Sequence, residues 1–196
     1  MALKLVIFDL DGTLLDAALD FDAIRAEIGL EPGTTILEGM ATMSEAEQAR
    51  ANRILERHEA EAAAQSRLAP GAKELVEWLR ARGVKIAILT RNSRRSVERA
   101  SRRHGFVFDA VVAREDLRPK PSPDGVHHLM QALCAAPAET VVVGDFRFDI
   151  EAGAAAGCRT IALARDPVPD WAADATWTTG SLAEVQEHLE SLAGEA

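Results

Sequence analysis

The sequence predicts an α/β fold in which helices cover both faces of a parallel sheet, with a small helical insertion near the amino terminus. Short apolar runs alternate with helical patterns along most of the chain, and this alternation is typical of such a sheet. Residues 17–69 interrupt the alternation, because they contain no convincing strand. We therefore predict a core domain formed by residues 1–16 and 70–196 and a helical insertion formed by residues 17–69.

Five short apolar runs predict the strands of the core, and Trp171 and Trp177 flank a further loop and strand late in the chain. Each run has the length and the β-branched composition of a buried strand. The five runs are Leu3–Phe8, Val84–Leu89, Ala110–Ala113, Thr140–Val143 and Thr160–Leu163.

Four helical patterns separate these strands, namely Ala72–Arg82, Ser93–His104, Pro123–Cys134 and Phe148–Ala156. Gly83 and Gly157 each follow a helix and suit a left-handed carboxyl-terminal cap. Trp78 lies on the apolar face of its helix and is predicted to pack in the core. His127 and His128 are adjacent on a helix, so they point in different directions, and we expect both at the surface.

The predicted insertion contains a long helix and a shorter one before it. Ser44 to Ala69 is an Ala/Glu/Arg-rich helical run, and Ser44 with Glu47 forms a capping-box pattern at its start. Ile24, Ile28 and Leu30 mark the shorter helix, which is expected to end near Pro32-Gly33. Pro70-Gly71 then returns the chain to the core.

The composition is that of an ordinary globular chain, with 196 residues of which 47% are apolar. No apolar run approaches the roughly 20 residues that a membrane-spanning helix needs. The apolar start, Met1 to Leu10, is broken by Asp9 and has no small-residue cleavage site, so we do not interpret it as a signal peptide. Two cysteines, Cys134 and Cys158, are too few for a disulfide framework; we expect buried, reduced thiols in a cytoplasmic protein.

The charge pattern argues against nucleic-acid binding. The chain carries 22 Lys+Arg and 31 Asp+Glu, a net charge of −9, and an acidic surface repels the phosphate backbone. Residues 70–120 are an exception, with 13 basic and 6 acidic side chains. A basic zone in an acidic protein suits a small anionic ligand, and we expect a monomer or a weak homodimer.

Four polar clusters follow predicted strands, at the edge of a parallel sheet where ligands bind. They are Asp9-Leu10-Asp11-Gly12-Thr13, Thr90-Arg91-Asn92, Lys120 after a charged loop, and Gly144-Asp145 with Asp149. Their carboxylates suit a hard cation such as Mg²⁺. The cation and Lys120 would offset the charge of a phosphoryl group, which an aspartate can attack to give an aspartyl-phosphate.

The order of these clusters resembles the four motifs of the haloacid dehalogenase-like superfamily, and the resemblance covers nearly the whole chain. The first motif corresponds to Asp9-Leu10-Asp11-Gly12-Thr13-Leu14-Leu15-Asp16, and the second corresponds to Thr90. The third corresponds to Lys120 in Arg118-Pro119-Lys120-Pro121. The fourth corresponds to Gly144-Asp145-Phe146-Arg147-Phe148-Asp149. The chain is most similar to the phosphoglycolate phosphatase and β-phosphoglucomutase branch. That branch implies a Rossmann-like three-layer core with a helical cap inserted directly after the first motif.

The resemblance implies a role for each residue at the motifs' chemical positions. Asp9 would be the nucleophile and a Mg²⁺ ligand. Asp11 would be the general acid and then the base, with its backbone carbonyl on the metal. Asp145 would complete the metal site, and Asp149 would support it from behind.

The same resemblance places the phosphoryl group between the second and third motifs. Thr90 and the next backbone N–H would hold the phosphoryl oxygens, with help from Arg91 and Asn92. Lys120 would neutralise the phosphoryl group and orient the nucleophile, and Gly12 would allow the sharp turn below the metal.

Two details bear on the reaction. Family members that cleave carbon–halogen bonds lack an acid–base aspartate at the position of Asp11, so dehalogenation is not expected here. In the family, the residue after the first aspartate of the fourth motif is commonly small and polar, whereas here it is Phe146. This difference puts the surroundings of the site and the substrate preference in doubt.

Each residue also has an ordinary structural interpretation. Asp9 and Asp11 could be turn residues, as in most Asp-Gly pairs, and Asp149 could cap the next helix. Thr90 alone would be a strand-end cap, and Lys120 alone a solvated loop lysine. An EF-hand is excluded because Gly12 comes too early in the loop.

The arginines are ambiguous. Arg99, Arg102 and Arg103 are expected on a solvated helix face. Arg91, Arg94 and Arg95 lie near the start of that helix and could steer an anionic substrate. Arg25 in the cap could point into the pocket.

These observations predict a Mg²⁺-dependent phosphatase of small phosphorylated metabolites, with the cap covering the leaving group. One alternative is a phosphomutase or phosphotransferase of the β-phosphoglucomutase type. Another is a non-catalytic binding protein with the same fold.

Overall fold

In a computed structural model of the chain, residues 3–16 and 19–194 are described, and they contain eight strands. The strands are β1 (Leu5–Phe8), β2 (Leu15–Asp16), β3 (Arg67–Leu68), β4 (Lys85–Leu89), β5 (Ala110–Val112), β6 (Thr140–Gly144), β7 (Arg159–Leu163) and β8 (Trp177–Thr179). Six of them form one parallel sheet in the order β5-β4-β1-β6-β7-β8, and β2 pairs with β3 separately. β1, which carries the first polar cluster at its end, is therefore central in the sheet.

Eight α-helices lie within the same described residues. They are α1 (Phe21–Ile28), α2 (Ile36–Ala41), α3 (Glu45–Gln65), α4 (Ala72–Ala81), α5 (Arg94–His104), α6 (Asp124–Ala132), α7 (Arg147–Ala155) and α8 (Leu182–Gly194). None of the helices in this part of the chain is long and apolar enough to cross a membrane.

Both faces of the sheet are buried under helices. Successive side chains of a strand point to opposite faces, so Val6 and Phe8 pack with α4, α5 and α8, whereas Leu5 and Ile7 pack with α6 and α7. All four side chains are fully buried, and Trp78 packs against the first of these clusters. The structure confirms the predicted α/β class with a parallel sheet.

Helices α1, α2 and α3 lie between β2 and β3 in the chain and form a small apolar cluster of their own. β2 and β3 pair antiparallel, with Leu15 opposite Leu68, so the chain leaves and re-enters the core at adjacent points. The long helix α3 belongs to both regions. Ile54 and Leu55 pack in the cluster of the three helices, and Ala63 packs in the core.

The local predictions for this region are corrected in three places. The first helix ends at Ile28 with left-handed Gly29, before Pro32-Gly33. Helix α2 was not predicted, because its six residues are too few for a clear 3.6-residue period. The long helix stops at Gln65 and residues 67–68 form a strand, so the expectation of an unbroken helix to Ala69 without any strand is wrong.

Three further outcomes concern the rest of the chain. Gly83 and Gly157 have positive φ angles, as their cap positions predict, and His127 and His128 are exposed. Cys158 is buried, but Cys134 is exposed, so the expectation of two buried thiols is wrong. Cys134 comes just after α6 with a φ of 54°, in a turn that faces outward.

Candidate active site

The carboxyl ends of β1, β4 and β6 open into one cavity of about 520 Å³. Asp9 follows β1 directly, Thr90 follows β4, and Asp145 follows β6. Every site residue that the sequence predicts lies in the lining of this cavity: Asp9, Asp11, Gly12, Thr90, Arg91, Asn92, Lys120, Asp145 and Asp149.

Lys120 links the first and fourth motifs. Its Nζ donates to Asp9 Oδ1 at 2.8 Å and to Asp149 Oδ1, and its side chain is only 3% exposed. Burial alone would lower the pKa of Lys120, but the negative charges of Asp149 and Asp9 outweigh burial and raise that pKa above its ordinary value. Lys120 therefore keeps its proton and fixes the position of the Asp9 carboxylate.

Three carboxylates form an acidic cluster at this point. Oxygen atoms of Asp9, Asp145 and Asp149 lie within 4.8 Å of one another, and Thr13 Oγ1 donates to Asp145 Oδ1 at 3.1 Å. Burial, and then the charges of Asp9 and Asp149, raise the pKa of Asp145 to about 7. Negative charge gathered in a buried place is compensated by a cation, and carboxylate oxygens suit a divalent one.

Two glycines make room for these carboxylates. A Cβ atom on Gly12 would lie 2.1 Å from Asp145 Oδ2, and a Cβ atom on Gly144 would lie 2.2 Å from Asp149 Cγ. Gly12 also has a φ of 86°, a conformation that favours glycine. The donor set thus depends on two positions without side chains, which supports the interpretation of this cluster as a built cation site.

Asp11 faces the second motif. Asn92 Nδ2 donates to Asp11 Oδ2 at 2.7 Å, and the backbone N–H of Asn92 donates to Thr90 Oγ1 at 3.1 Å. Burial is the main cause that raises the pKa of Asp11 to about 6, although the hydrogen bond from Asn92 opposes it. A carboxyl group with a pKa near neutrality can both give and accept a proton.

Arg91 connects the core to the helices above it. Its Nη2 lies 2.8 Å and 2.7 Å from the two carboxylate oxygens of Glu38, and its Nη1 donates to the Lys120 carbonyl. The guanidinium also stacks 4.6 Å from the centre of the Phe148 ring. Its terminal nitrogens are thus engaged within the protein, although the residue lines the cavity.

Arg25, Arg94 and Arg95, the other arginines considered for substrate contact, differ in their position relative to the cavity. Arg25 lines the cavity. Arg94 and Arg95 are exposed and are not among the described residues that line it; Arg94 pairs instead with Asp116.

A buried ion pair, of which Glu59 lines the cavity, was not predicted from the sequence. Glu59 of α3 is 3% exposed and pairs with Arg114, and it accepts a hydrogen bond from the backbone N–H of Ser93 at 3.2 Å. Burial raises the pKa of Glu59 even though Arg114 opposes this shift. Glu59 shares a helix face with Leu55, four residues earlier, so an acidic residue on an apolar stripe was the signal that could have revealed it.

The helices between β2 and β3 supply the upper side of the cavity. Five apolar residues, which we call the apolar cap wall, line it there: Leu19, Phe21, Ile36, Leu37 and Leu55. The sequence did not predict them as lining residues, because an apolar residue at helical spacing is ordinarily core. Phe146, the residue that departs from the fourth motif, lines the cavity from below and is 46% exposed.

Comparisons with known proteins agree with this architecture. A family model described as haloacid dehalogenase-like hydrolase matches residues 3–157. An uncharacterized hydrolase of Saccharomyces cerevisiae is 36% identical over 170 residues, covering 82% of this chain and 77% of the yeast protein.

Two further relatives are more distant. A phosphoglycolate phosphatase of Pseudomonas putida is 28% identical over 187 residues, covering 82% of this chain and 69% of that protein. The crystal structure of a hydrolase from Pseudomonas syringae superposes with a TM-score of 0.82 at 20% identity, covering 97% of this chain and 99% of that one, and shows the same fold.

Proposed function

The chain belongs to the haloacid dehalogenase-like hydrolase family, and from this we propose that it is a Mg²⁺-dependent phosphatase of small phosphorylated metabolites acting through an aspartyl-phosphate. The observation that carries the proposal is the position of Lys120, which holds Asp9 on one side and Asp149 on the other, beside Asp145. A phosphatase-named relative at 28% identity supports the reaction class.

In the first half of the reaction, an Asp9 carboxylate oxygen attacks phosphorus and the bond from phosphorus to the leaving oxygen breaks. The proton that the leaving oxygen needs comes from Asp11, which Asn92 holds in place. Thr90 and the next backbone N–H, that of Arg91, contact the phosphoryl oxygens, and Lys120 offsets their charge.

In the second half, Asp11 accepts a proton from a water molecule that attacks the phosphorus of the aspartyl-phosphate. The bond between phosphorus and Asp9 breaks, and inorganic phosphate leaves. Because Asp11 gave its proton in the first half, it is in the correct state to act as a base in the second.

We propose that Asp9, Asp145 and the backbone carbonyl of Asp11 hold Mg²⁺, with Asp149 oriented behind them by Lys120. The ion would supply positive charge that stabilises the phosphoryl oxygens during transfer. Asp11 and Lys120 also argue against carbon–halogen cleavage, since that substrate has no leaving oxygen to protonate and no phosphate to neutralise.

The biological setting follows from the same substrate class. We propose that the protein acts in the cytoplasm, as a monomer or weak homodimer, on small phosphorylated molecules and not on nucleic acid. The net charge of −9 supports the last point.

The proposal is tested by phosphate release from small phosphate monoesters with and without MgCl₂. We expect Mg²⁺-dependent release that Asp9→Asn reduces by about three orders of magnitude or more, since the nucleophile is lost. Acid-quenched wild-type protein should carry a phosphoryl group on the peptide containing Asp9.

The matched control is Asp174→Asn, which changes an exposed aspartate outside the cavity lining and should leave the rate unchanged. Substantial release by Asp9→Asn, with a normal melting temperature, would show that the nucleophile lies elsewhere.

A further inference from the structure

The cavity continues well beyond the catalytic residues, and most of this additional surface is apolar. The apolar cap wall covers it from above, and Phe146 and Phe148 cover it from below. A leaving group of a few polar atoms, such as glycolate, would leave most of this surface facing water, which is unfavourable in proportion to the apolar area. The cavity is therefore built for a larger and less polar alcohol.

Aromatic side chains stand on both sides of the cavity. Phe21 of the cap wall is 52% exposed and Phe146 is 46% exposed, which is unusual for large apolar residues that line one cavity. Phe146 is held in place, with its ring centre 5.0 Å from that of Phe148 in an edge-to-face arrangement and 6.2 Å from that of Trp171. A fixed, half-exposed ring is a surface on which another ring can stack.

Arg25 adds one polar requirement. Its Nη2 donates to Asp22 Oδ1 at 2.7 Å and its Nη1 contacts the Thr34 carbonyl at 3.4 Å. Its Nε is buried and has no acceptor among residues 3–16 and 19–194. A buried donor without an acceptor is costly. Because Arg25 lines the cavity, a rotation of its side chain would bring this unpaired donor to an acceptor on a bound ligand and remove that cost.

Arg91 differs from Arg25 in its contacts. It also lines the cavity, but Glu38 and the Lys120 carbonyl engage its terminal nitrogens. Arg25 differs in that its Nε is buried without an acceptor among the described residues.

We propose, building on the phosphatase function proposed above, that the natural substrate is a phosphate monoester whose alcohol carries an apolar ring and a hydrogen-bond acceptor. The ring lies between the apolar cap wall and Phe146. The acceptor, a carboxylate or carbonyl oxygen, bonds to Arg25. The substrate class is set by these residues, whereas the reaction is set by the residues around Asp9.

The first experiment compares four esters that share an unactivated CH₂–O–P linkage: benzyl phosphate, 4-carboxybenzyl phosphate, 2-phosphoglycolate and glycerol 3-phosphate. Phosphate release with Mg²⁺ gives kcat/KM for each. We expect benzyl phosphate to exceed 2-phosphoglycolate by about tenfold or more, as apolar complementarity allows. We expect the added carboxylate to give a further increase of roughly fivefold. Equal values, or a preference for 2-phosphoglycolate, would overturn the inference while leaving the phosphatase function in place.

Variants assign the preference to residues. Phe146→Ala and Phe21→Ala should each lower the ratio of kcat/KM for benzyl phosphate over 2-phosphoglycolate, and Arg25→Met should lower the ratio for 4-carboxybenzyl over benzyl phosphate. Val107→Ala is the control, because Val107 is 73% exposed and outside the cavity lining, and it should change neither ratio. Unchanged ratios in the three cavity variants would overturn the assignment.

A binding measurement separates the two proposals. Calorimetry with benzylphosphonate and methylphosphonate, which are not hydrolysed, should show roughly tenfold tighter binding of the ring-bearing compound. If no ester releases phosphate but this difference is found, the phosphatase function is wrong and the ring site stands. If both phosphonates bind equally, the ring site is wrong whatever the activity.

Discussion

Gly12 is the residue on which the position of the Asp145 carboxylate depends most directly. A methyl group at Gly12 would lie 2.1 Å from Asp145 Oδ2 and 2.6 Å from its Cγ, so Gly12→Ala must displace that carboxylate. We expect the apparent Mg²⁺ affinity and the rate of phosphate release to fall by about tenfold or more. Activity titrated against MgCl₂ measures both effects.

Gly83 provides the control for backbone strain. Its φ of 71° is also left-handed, but a Cβ atom there would meet nothing within 4 Å. Gly83→Ala should therefore cost about 1–2 kcal/mol of folding stability without changing the Mg²⁺ titration. Identical titrations for both variants would show that Gly12 serves only the chain turn.

The sequence predicted that Asp9, Thr90 and Asp145 would meet, because each of them follows a strand of the sheet and parallel strands bring their carboxyl ends to one edge. Asp9, Thr90 and Asp145 needed no tertiary information beyond this rule. The exposed Cys134 was missed for a different reason. Whether a turn residue is buried depends on what the rest of the chain places beside it, and no local pattern records that. Glu59 was missed although its place on an apolar helix stripe was a local signal.

At the scale of elements, α3 joins the helices above the cavity to the core. Its Ile54 packs with α1 and α2, its Ala63 packs with the core, and Arg99 of α5 donates to its Ala60 carbonyl at 3.0 Å. Glu59 lies between these contacts and pairs with Arg114. We therefore expect the pair to stabilise the attachment of α3 to the core.

A double-mutant cycle measures this contribution. Glu59→Gln and Arg114→Gln should each lower the free energy of unfolding, with a largest expected loss of about 3–5 kcal/mol, because each leaves a buried partner unpaired. The double variant should lose less than the sum, with a coupling of about 1–3 kcal/mol in urea unfolding. Additive losses would contradict a direct interaction between the two side chains.

The elements themselves were predictable to different degrees. The core strands and α4 to α7 have a strong hydrophobic periodicity. Their predicted bounds differ from the bounds in the structure by no more than two residues. The six-residue helix α2 was missed because it is too short to show the 3.6-residue period of a helix. The two-residue strand β3 was missed because it is too short to show the alternation of a strand. β3 exists because Leu68 and Arg67 find partners in β2, far away in the sequence.

At the scale of the whole molecule, the acidic cluster should make folding stability depend on a divalent cation. The cluster is central in the fold, since Asp9 and Asp145 extend two neighbouring strands of the sheet. A ligand that binds only the folded state stabilises it. At 100 times its Kd, Mg²⁺ should raise the melting temperature by about 5–10 °C, and EDTA should reverse the shift.

The specificity of this effect is checked by differential scanning fluorimetry of Asp145→Asn, in which one of the three carboxylates is neutral. Its melting temperature should respond little to Mg²⁺, and NaCl at matched ionic strength should not reproduce the wild-type shift. A full shift in the variant would place the ion elsewhere.

The pairing of Leu15 with Leu68 has a consequence for the natural history of this chain. Because the two ends of the intervening segment meet side by side, a segment of another length or sequence can be grafted between them without altering the order of the central strands. We expect such an exchange to change the residues on the upper side of the cavity and to leave Asp9, Thr90 and Asp145 in place. We expect a chimaera that carries a relative's segment between Leu15 and Leu68 to have the substrate preference of that relative and the reaction of this chain.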